Sequence, residues 1–266
     1  MTKNNQHTGK VILAAAGCGD PELITVKAAR YLQQADIVLT DRLVSEKILQ
    51  EYVQPGIEII YVGKQNNKAA SVPQQDINQL LIKYALQGKL VVRLKGGDIA
   101  FFSNVLDELQ ILMDNNIPFE IIPGVTAASG ASAYAGIPLT ARGYSTSVRF
   151  LTCYKTDIVT SEYWTELAAT DDTLVFYMSS DTLDTVIENL VANKIDATKL
   201  VAVVEQATTP LQNITVYNLY EYENTLKGKA FASPTLVIIG KVVALHKKFA
   251  WQKNSTTNEL YFTPVS

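Results

Sequence analysis

Residues 91–98 read VVRLKGGD. An apolar run interrupted by one Arg leads straight into Lys95, two glycines and Asp98. A buried strand that ends on so tight a Gly-Gly-Asp turn implies that its backbone comes close to something, because glycine there leaves no Cβ in the way. Outward from this turn, Leu90 to Leu94 is expected to be one strand among several. Upstream, Val11 to Ala15, Asp36 to Thr40 and Ile57 to Val62 are apolar runs of strand length, and Phe119 to Ile122 follows downstream. Helical patterns separate them: one opens at Pro21 behind the N-cap Asp20, one spans Pro73 to Leu86, and one spans Ser103 to Met113. Strands alternating with helices predict a parallel sheet covered on both faces.

Past Gly136 the rhythm changes. The turn-rich stretch IPLTARGYSTS, residues 137–147, is expected to connect two domains. Strands are predicted near Val148–Thr152, Thr173–Tyr177, Leu200–Val204, Ile214–Tyr217 and Thr235–Ile239, with helices near Tyr163–Ala168 and Thr182–Ala192. Their close spacing late in the chain predicts a mixed sheet. The expected architecture is therefore α/β, with two α/β domains and the active site in the cleft between them. Domain one covers 1–136 and domain two 137–250; a tail covers 251–266, poorly ordered from Asn254 onward.

Composition narrows the function classes. The 266 residues are 47% hydrophobic and 18% charged, ordinary for a folded globular chain. A net charge of -3 and a pI near 5.5 give no general attraction to nucleic acid or to anionic membranes. The polar N-terminus MTKNNQHTGK and the absence of a long apolar run lead to the expectation of a cytoplasmic protein. Two cysteines, Cys18 and Cys153, cannot build a disulfide framework and are expected in the interior. With two histidines, His7 and His246, both expected at solvated positions, no metal site is expected.

Unusual residues gather at the expected carboxyl ends of the first-domain strands, where ligands of open α/β sheets sit. They are Gly17-Cys18-Gly19-Asp20, Asp41-Arg42, Gly63-Lys64, Lys95-Gly96-Gly97-Asp98 and Pro123-Gly124-Val125-Thr126. A dinucleotide site would need a third glycine in the first loop, and Asp20 would put a carboxylate where pyrophosphate should lie. The set suits instead a ligand offering hydroxyl and amine donors.

The order of AAGCGDPELITVKA, ADIVLTDRLVS, IIYVGK, SVPQQDIN, VVRLKGGD, IPFEIIPGVTAASGASAYAGIPLT, LVFYMS and VALHKK resembles the tetrapyrrole methylases over about residues 9 to 250. Within them it resembles the group acting on uroporphyrinogen III. The resemblance implies the tetrapyrrole methylase fold and an S-adenosylmethionine-dependent homodimer that methylates two pyrrole carbons to give precorrin-2. It places the methyl donor against Gly96, Gly97 and Asp98, with Cys18, Phe101, Thr126, Ala127, Met178 and Ala207 as further contacts. It makes Asp41 and Lys64 the acid–base pair.

The chain departs from the family pattern on the tetrapyrrole side. Cys18 stands where Pro is expected. IAFFSNVLDE replaces a segment with Arg and three glycines, so that Ser103, Asn104, Val105 and Leu106 occupy those places. A His and an Asp are missing around Arg142, and QNNKAA after Lys64 lacks the usual Arg and His. Uroporphyrinogen III carries eight carboxylates, so other cations must meet them. Of only five arginines, Arg42 and Arg142 are the candidates, with Lys68 beside them. The alternatives are methylation of a different tetrapyrrole, such as a later precorrin, or donor binding with weakened catalysis.

Overall fold

The structure is a computed structural model that describes residues 8–62, 74–153 and 160–262. His7, Lys64 and Lys68 lie outside them. The chain divides into two compact units, 1–127 with 262–266, and 128–261.

The first unit is built on strands β1 (Lys10–Ala15), β2 (Ile37–Thr40), β3 (Glu58–Tyr61), β4 (Leu90–Lys95) and β5 (Phe119–Ile122). They pair in the order β3-β2-β4-β1-β5, every pair parallel. From Val11 to Ala15 every side chain is fully buried, as a strand covered on both faces requires. One face carries α1 (Val26–Gln34) and α2 (Glu46–Tyr52), whose Ala28, Leu32, Ile48 and Leu49 pack on Ile12, Val38 and Leu94. The other carries α3 (Gln74–Leu86) and α4 (Val105–Asp114), whose Ile77, Leu81 and Leu112 pack on Leu13, Leu39 and Val91. Each fully buried Leu, Ile or Val contributes about 1.5–3 kcal/mol. Chains leaving β1 and β2 turn to one face, and the chain leaving β4, between them, turns to the other. That divergence makes the carboxyl end of β4 the switch point at which such sheets bind ligands.

The first helix differs from its expected start. Asp20 accepts from the Glu22 N–H at 2.9 Å but caps only a 3-10 turn, Pro21–Leu23. Thr25 is the N-cap of α1, its hydroxyl taking the Ala28 N–H at 3.2 Å. The chain must make this extra turn because Ile24 and Thr25 are extended between the two caps.

The second unit holds α5 (Ala127–Ala135, its first residue belonging to the other unit), then β6 (Val148–Thr152), α6 (Ser161–Ala169), β7 (Thr173–Tyr177), α7 (Leu183–Ala192), β8 (Leu200–Glu205), β9 (Asn213–Asn218) and β10 (Thr235–Gly240). Two short helices, α8 (Tyr222–Thr225) and α9 (His246–Phe249), complete it. The sheet order is β6-β7-β10-β8-β9. Only β6 and β7 are parallel; β10 runs antiparallel to both β7 and β8, so the sheet is mixed. Its core joins Trp164 and Leu167 of α6 and Val186, Ile187 and Leu190 of α7 to Phe176, Val203 and Val237 of the sheet.

Two expectations for the end of the chain are corrected. His246 is tethered, with Nδ1 2.6 Å from the Ala135 carbonyl oxygen. The segment after Asn254 is anchored up to Tyr261. Asn254 bridges both backbone groups of Ile214, and the Gln206 amide donates to the Glu259 carbonyl at 3.2 Å and accepts from the Tyr261 N–H at 2.6 Å. A buried side-chain amide needs such partners, and the distant polar stretch supplies them.

Candidate active site

Three loops of the first unit meet at the carboxyl ends of β1, β4 and β5. Gly17 and Gly97 exchange backbone hydrogen bonds, N–H to carbonyl at 3.0 and 2.7 Å, and so zip the first loop to the Gly-Gly-Asp turn. A Cβ on Gly124 would stand 2.6 Å from the Ala15 Cβ and 3.1 Å from the Gly97 oxygen, so the β5 loop fits only without one. Asp98 pins the junction. It is 6% exposed; Oδ1 accepts the Ala100 N–H and Oδ2 the Gly124 N–H, each at 2.7 Å.

The paired glycines have different physical reasons. A Cβ on Gly96 would come 2.7 Å from the Leu43 Cβ and 2.9 Å from its carbonyl oxygen, so its neighbour is the protein's own β2 loop. Gly97 has φ +74°, left-handed backbone that disfavours other residues, and a Cβ there would meet nothing within 4 Å. Of the two, Gly97 is the one whose bare face looks into open space.

Asp41 and Arg42 follow β2, beside β4. The Asp41 Oδ1 takes the Leu43 N–H at 3.0 Å, and its side chain is 25% exposed. Burial pulls the Arg42 guanidinium below its ordinary value, with Asp41 opposing. Behind Asp41 lies a buried charge cluster absent from the sequence reading. Arg93 and Lys95 sit two apart on β4 and share the face that packs under α4. The Arg93 Nε donates to Oε1 of Glu108 at 3.0 Å, and the Lys95 Nζ to Oε2 at 3.1 Å. Glu108 is fully buried and Arg93 only 4% exposed. Arg93 also donates from Nη1 to the Leu94 carbonyl at 3.0 Å, and its Nη2 stands 3.9 Å from Oδ2 of Asp41. Burial lowers the Lys95 ammonium from its usual range, against the attraction of Glu108. The one sequence signal was two cations at spacing two inside an apolar strand, since buried charges require partners.

The remaining candidates fall as follows. Cys18 is buried in the first loop, as Cys153 is at the end of β6. Thr126 and Ala127 lead from the β5 loop into α5. Phe101 is exposed, and its neighbour Phe102 has φ +53°. Asn104, N-cap of α4, is also left-handed and makes no capping bond. Arg142 is exposed at the tip of a tight turn closed by the Ala141 N–H to Ser145 carbonyl bond at 2.9 Å. In the second unit, β7 and β8 flank β10 and run the same way, so Met178 and Ala207 follow them at one sheet edge. Backbone strain concentrates there: Met178, Gln206 and Thr208 have φ of +52°, +49° and +66°. A left-handed β-branched Thr is costly and such residues cluster at ligand sites. Among the described residues no three His, Cys, Asp or Glu side chains group to hold a metal, and no helix is long and apolar enough to cross a membrane.

Residues 10–223 match the family model for tetrapyrrole (corrin/porphyrin) methylases. The chain belongs to the tetrapyrrole methylases. A siroheme synthase from Vesicomyosocius okutanii is 45% identical over 243 residues, 91% of this chain and 52% of that protein. The chain thus spans about half the length of the curated relatives it matches. A crystal structure of uroporphyrin-III-C-methyltransferase from Thermus thermophilus superposes with a TM-score of 0.76 at 32% identity, covering 92% of this chain and 98% of that one. A second crystal structure of the Thermus thermophilus enzyme, in complex with S-adenyl homocysteine, matches at 33% identity with a TM-score of 0.72, covering 88% and 93%. The two-sheet architecture of this tetrapyrrole methylase is that of these neighbours.

Proposed function

We propose that this methylase transfers methyl groups from S-adenosylmethionine to two pyrrole carbons of uroporphyrinogen III, giving precorrin-2 for siroheme or cobalamin synthesis. The observation that carries the reading is the junction at the end of β4. There a left-handed Gly97 offers its bare face to open space, Asp98 holds the loops around it, and Asp41 stands at the neighbouring strand end. This fits the donor: an amino acid and ribose can lie against backbone where a side chain would intrude. The proposed donor contacts in the first unit are Cys18, Gly96, Gly97, Asp98, Phe101, Thr126 and Ala127. Those in the second unit are Met178 and Ala207, where strained backbone and a half-exposed Met178 support the assignment. The likeness to a methyltransferase structure in complex with S-adenyl homocysteine supports the same donor.

When bound, the donor supplies a methyl group already activated on sulfonium. The protein's own part is placement and proton handling. Positioning the attacking carbon in line supplies most of the acceleration expected of such a site. The attacked carbon already carries a carboxylate arm and no hydrogen, so after methylation the cationic macrocycle must lose a proton from a ring nitrogen or a neighbouring bridging carbon. Asp41, one-quarter exposed with Oδ1 fixed by the Leu43 N–H, is the proposed acceptor, with Lys64 as its acid–base partner. Arg42 and Arg142 are the proposed partners of substrate carboxylates. Action as a cytoplasmic homodimer belongs to the same proposal and is supported by the family likeness alone.

A second reading, methylation of another tetrapyrrole, is favoured by one feature. The segment with left-handed Phe102 and Asn104 carries exposed Leu106 where the family pattern has a glycine, beside Asn104 in the place of an arginine. Incubation with uroporphyrinogen III and labelled donor, followed by mass spectrometry, tests both. A product heavier by two labelled methyl groups supports the proposal. Unchanged uroporphyrinogen III alongside methylation of a later precorrin supports the second reading.

A further inference from the structure

We propose that Glu108, which does not approach the reacting atoms, is a positioning residue that keeps one oxygen of Asp41 free by holding Arg93 back. This rests on the reading of Asp41 as the proton acceptor.

The geometry is specific. Asp41 has one oxygen committed, Oδ1 to the Leu43 N–H. Among the described residues no hydrogen bond reaches Oδ2. The group best placed to take it is the Arg93 guanidinium, whose Nη2 stands at 3.9 Å, inside ion-pair range and outside hydrogen-bond range. What stops the last ångström is anchorage at the other end of the same planar group. Nε is bound to Glu108 at 3.0 Å and Nη1 to the Leu94 carbonyl at 3.0 Å. A guanidinium is rigid, so fixing two of its nitrogens fixes the third.

Charge explains why the arrangement is kept buried. Arg93 and Lys95 oppose the single carboxylate of Glu108, which leaves one positive charge over, and Asp41 is the acid beside it. Buried charges are tolerated when balanced. Without Glu108 the stranded cation would find its balance by closing on Oδ2 in a charge-assisted hydrogen bond, which is shorter and about twice as strong as a neutral one. Asp41 would then have to break that bond before accepting a proton.

The test compares Lys95→Met, Lys95→Met/Glu108→Gln, Asp41→Asn and the triple variant in the full chain. Removing Lys95 first avoids setting the Gln amide against an ammonium. Lys95→Met leaves Arg93 held by Glu108 and should keep kcat for uroporphyrinogen III methylation within about threefold, since its ammonium contacts Glu108 and not Asp41. Adding Glu108→Gln should lower kcat about tenfold or more, the effect of one charged hydrogen bond to be broken. KM and the S-adenosylhomocysteine affinity by calorimetry should move less than about twofold, because a positioning loss acts on the chemical step. In the Asp41→Asn background the same addition should do nothing further, the signature of one shared route. If the double variant melts, Glu108→Asp, which keeps the charge and shortens the reach to Arg93, must show the same selective loss of kcat. Equal kcat with and without Glu108, or an undiminished loss in the Asp41→Asn background, overturns the positioning role alone. A fully active Asp41→Asn overturns the reading of Asp41 itself, and the positioning role with it.

Discussion

Replacing Asp98 by Asn removes one oxygen from a strut on which three loops depend. The carboxylate accepts the Ala100 and Gly124 N–H groups, each at 2.7 Å, and is nearly shut off from water. Asn retains one acceptor and turns its amide N–H₂ toward the other donor. One charge-assisted bond, worth about 1.5–3 kcal/mol, is lost, and the other becomes a neutral bond about 1 kcal/mol weaker. Part of this is regained if the Gly124 loop moves to reach water, so about 2–4 kcal/mol is expected overall. For a unit of this size 1 kcal/mol moves the melting temperature by roughly 3–5 °C, so the first unit should melt roughly 10 °C lower. Calorimetry gives the shift, and amide exchange locates it, with protection lost first at residues 100 and 124. Donor affinity should fall as well, because Gly97 is carried by the same junction. A variant that melts within about 2 °C of wild type with both amides still protected would show that Asp98 does not support the loops.

Three further outcomes are expected. Gly97→Ala should cost only about 1–2 kcal/mol of left-handed strain yet weaken S-adenosylhomocysteine binding at least about tenfold, whereas Gly96→Ala, colliding with Leu43, should damage stability first; unchanged affinity in Gly97→Ala would remove the donor from that face. Arg142→Ala, at an exposed turn tip, should raise KM for uroporphyrinogen III about tenfold, the worth of one charged hydrogen bond, and leave donor affinity alone; equal KM values would shift the role to Arg42 or Lys68. In the second unit the Ser147 hydroxyl, and then Arg149 with Nε at 2.5 Å, hold the Asp172 carboxyl down to about 2. A depressed folded value means stability present above the unfolded value near 3.9 and lost as pH falls toward about 2, so Asp172→Asn should flatten the fall in urea midpoint across that window.

The alternation of strands and helices was legible because the strands are apolar throughout and the turns between them carry Gly and Pro. Beside the four-residue α8 and α9, two longer helices escaped for different reasons. The α5 stretch AASGASAYA buries Ala128, Gly130, Ala131 and Ala135, residues too small to mark an apolar stripe. The α2 stretch is seven residues long and buries only Ile48 and Leu49. Of the candidate site, the Gly-Gly-Asp turn was visible, while what each residue does there was not. That Gly96 yields to Leu43, and that Asp98 reaches Gly124 across 26 residues, depends on where β2 and β5 stand beside β4. The pairing of Glu108 with Arg93 and Lys95 likewise needs the rotation of α4, which periodicity does not set to within one side chain.

The Gln206 anchor has a consequence for the order in which the protein matures as it is made. Gln206, Ala207 and Thr208 form the strained corner after β8, and the buried amide that steadies it waits for Glu259 and Tyr261, 53 and 55 residues later. At about 5–20 residues per second, a ribosome needs roughly 3–10 s to supply them. Through that interval a nascent chain can complete the whole parallel sheet of the first unit while this corner is held only by nearer groups such as the Leu211 carbonyl. A chain stopped at residue 250, where the family resemblance ends, would remain in that unfinished condition permanently.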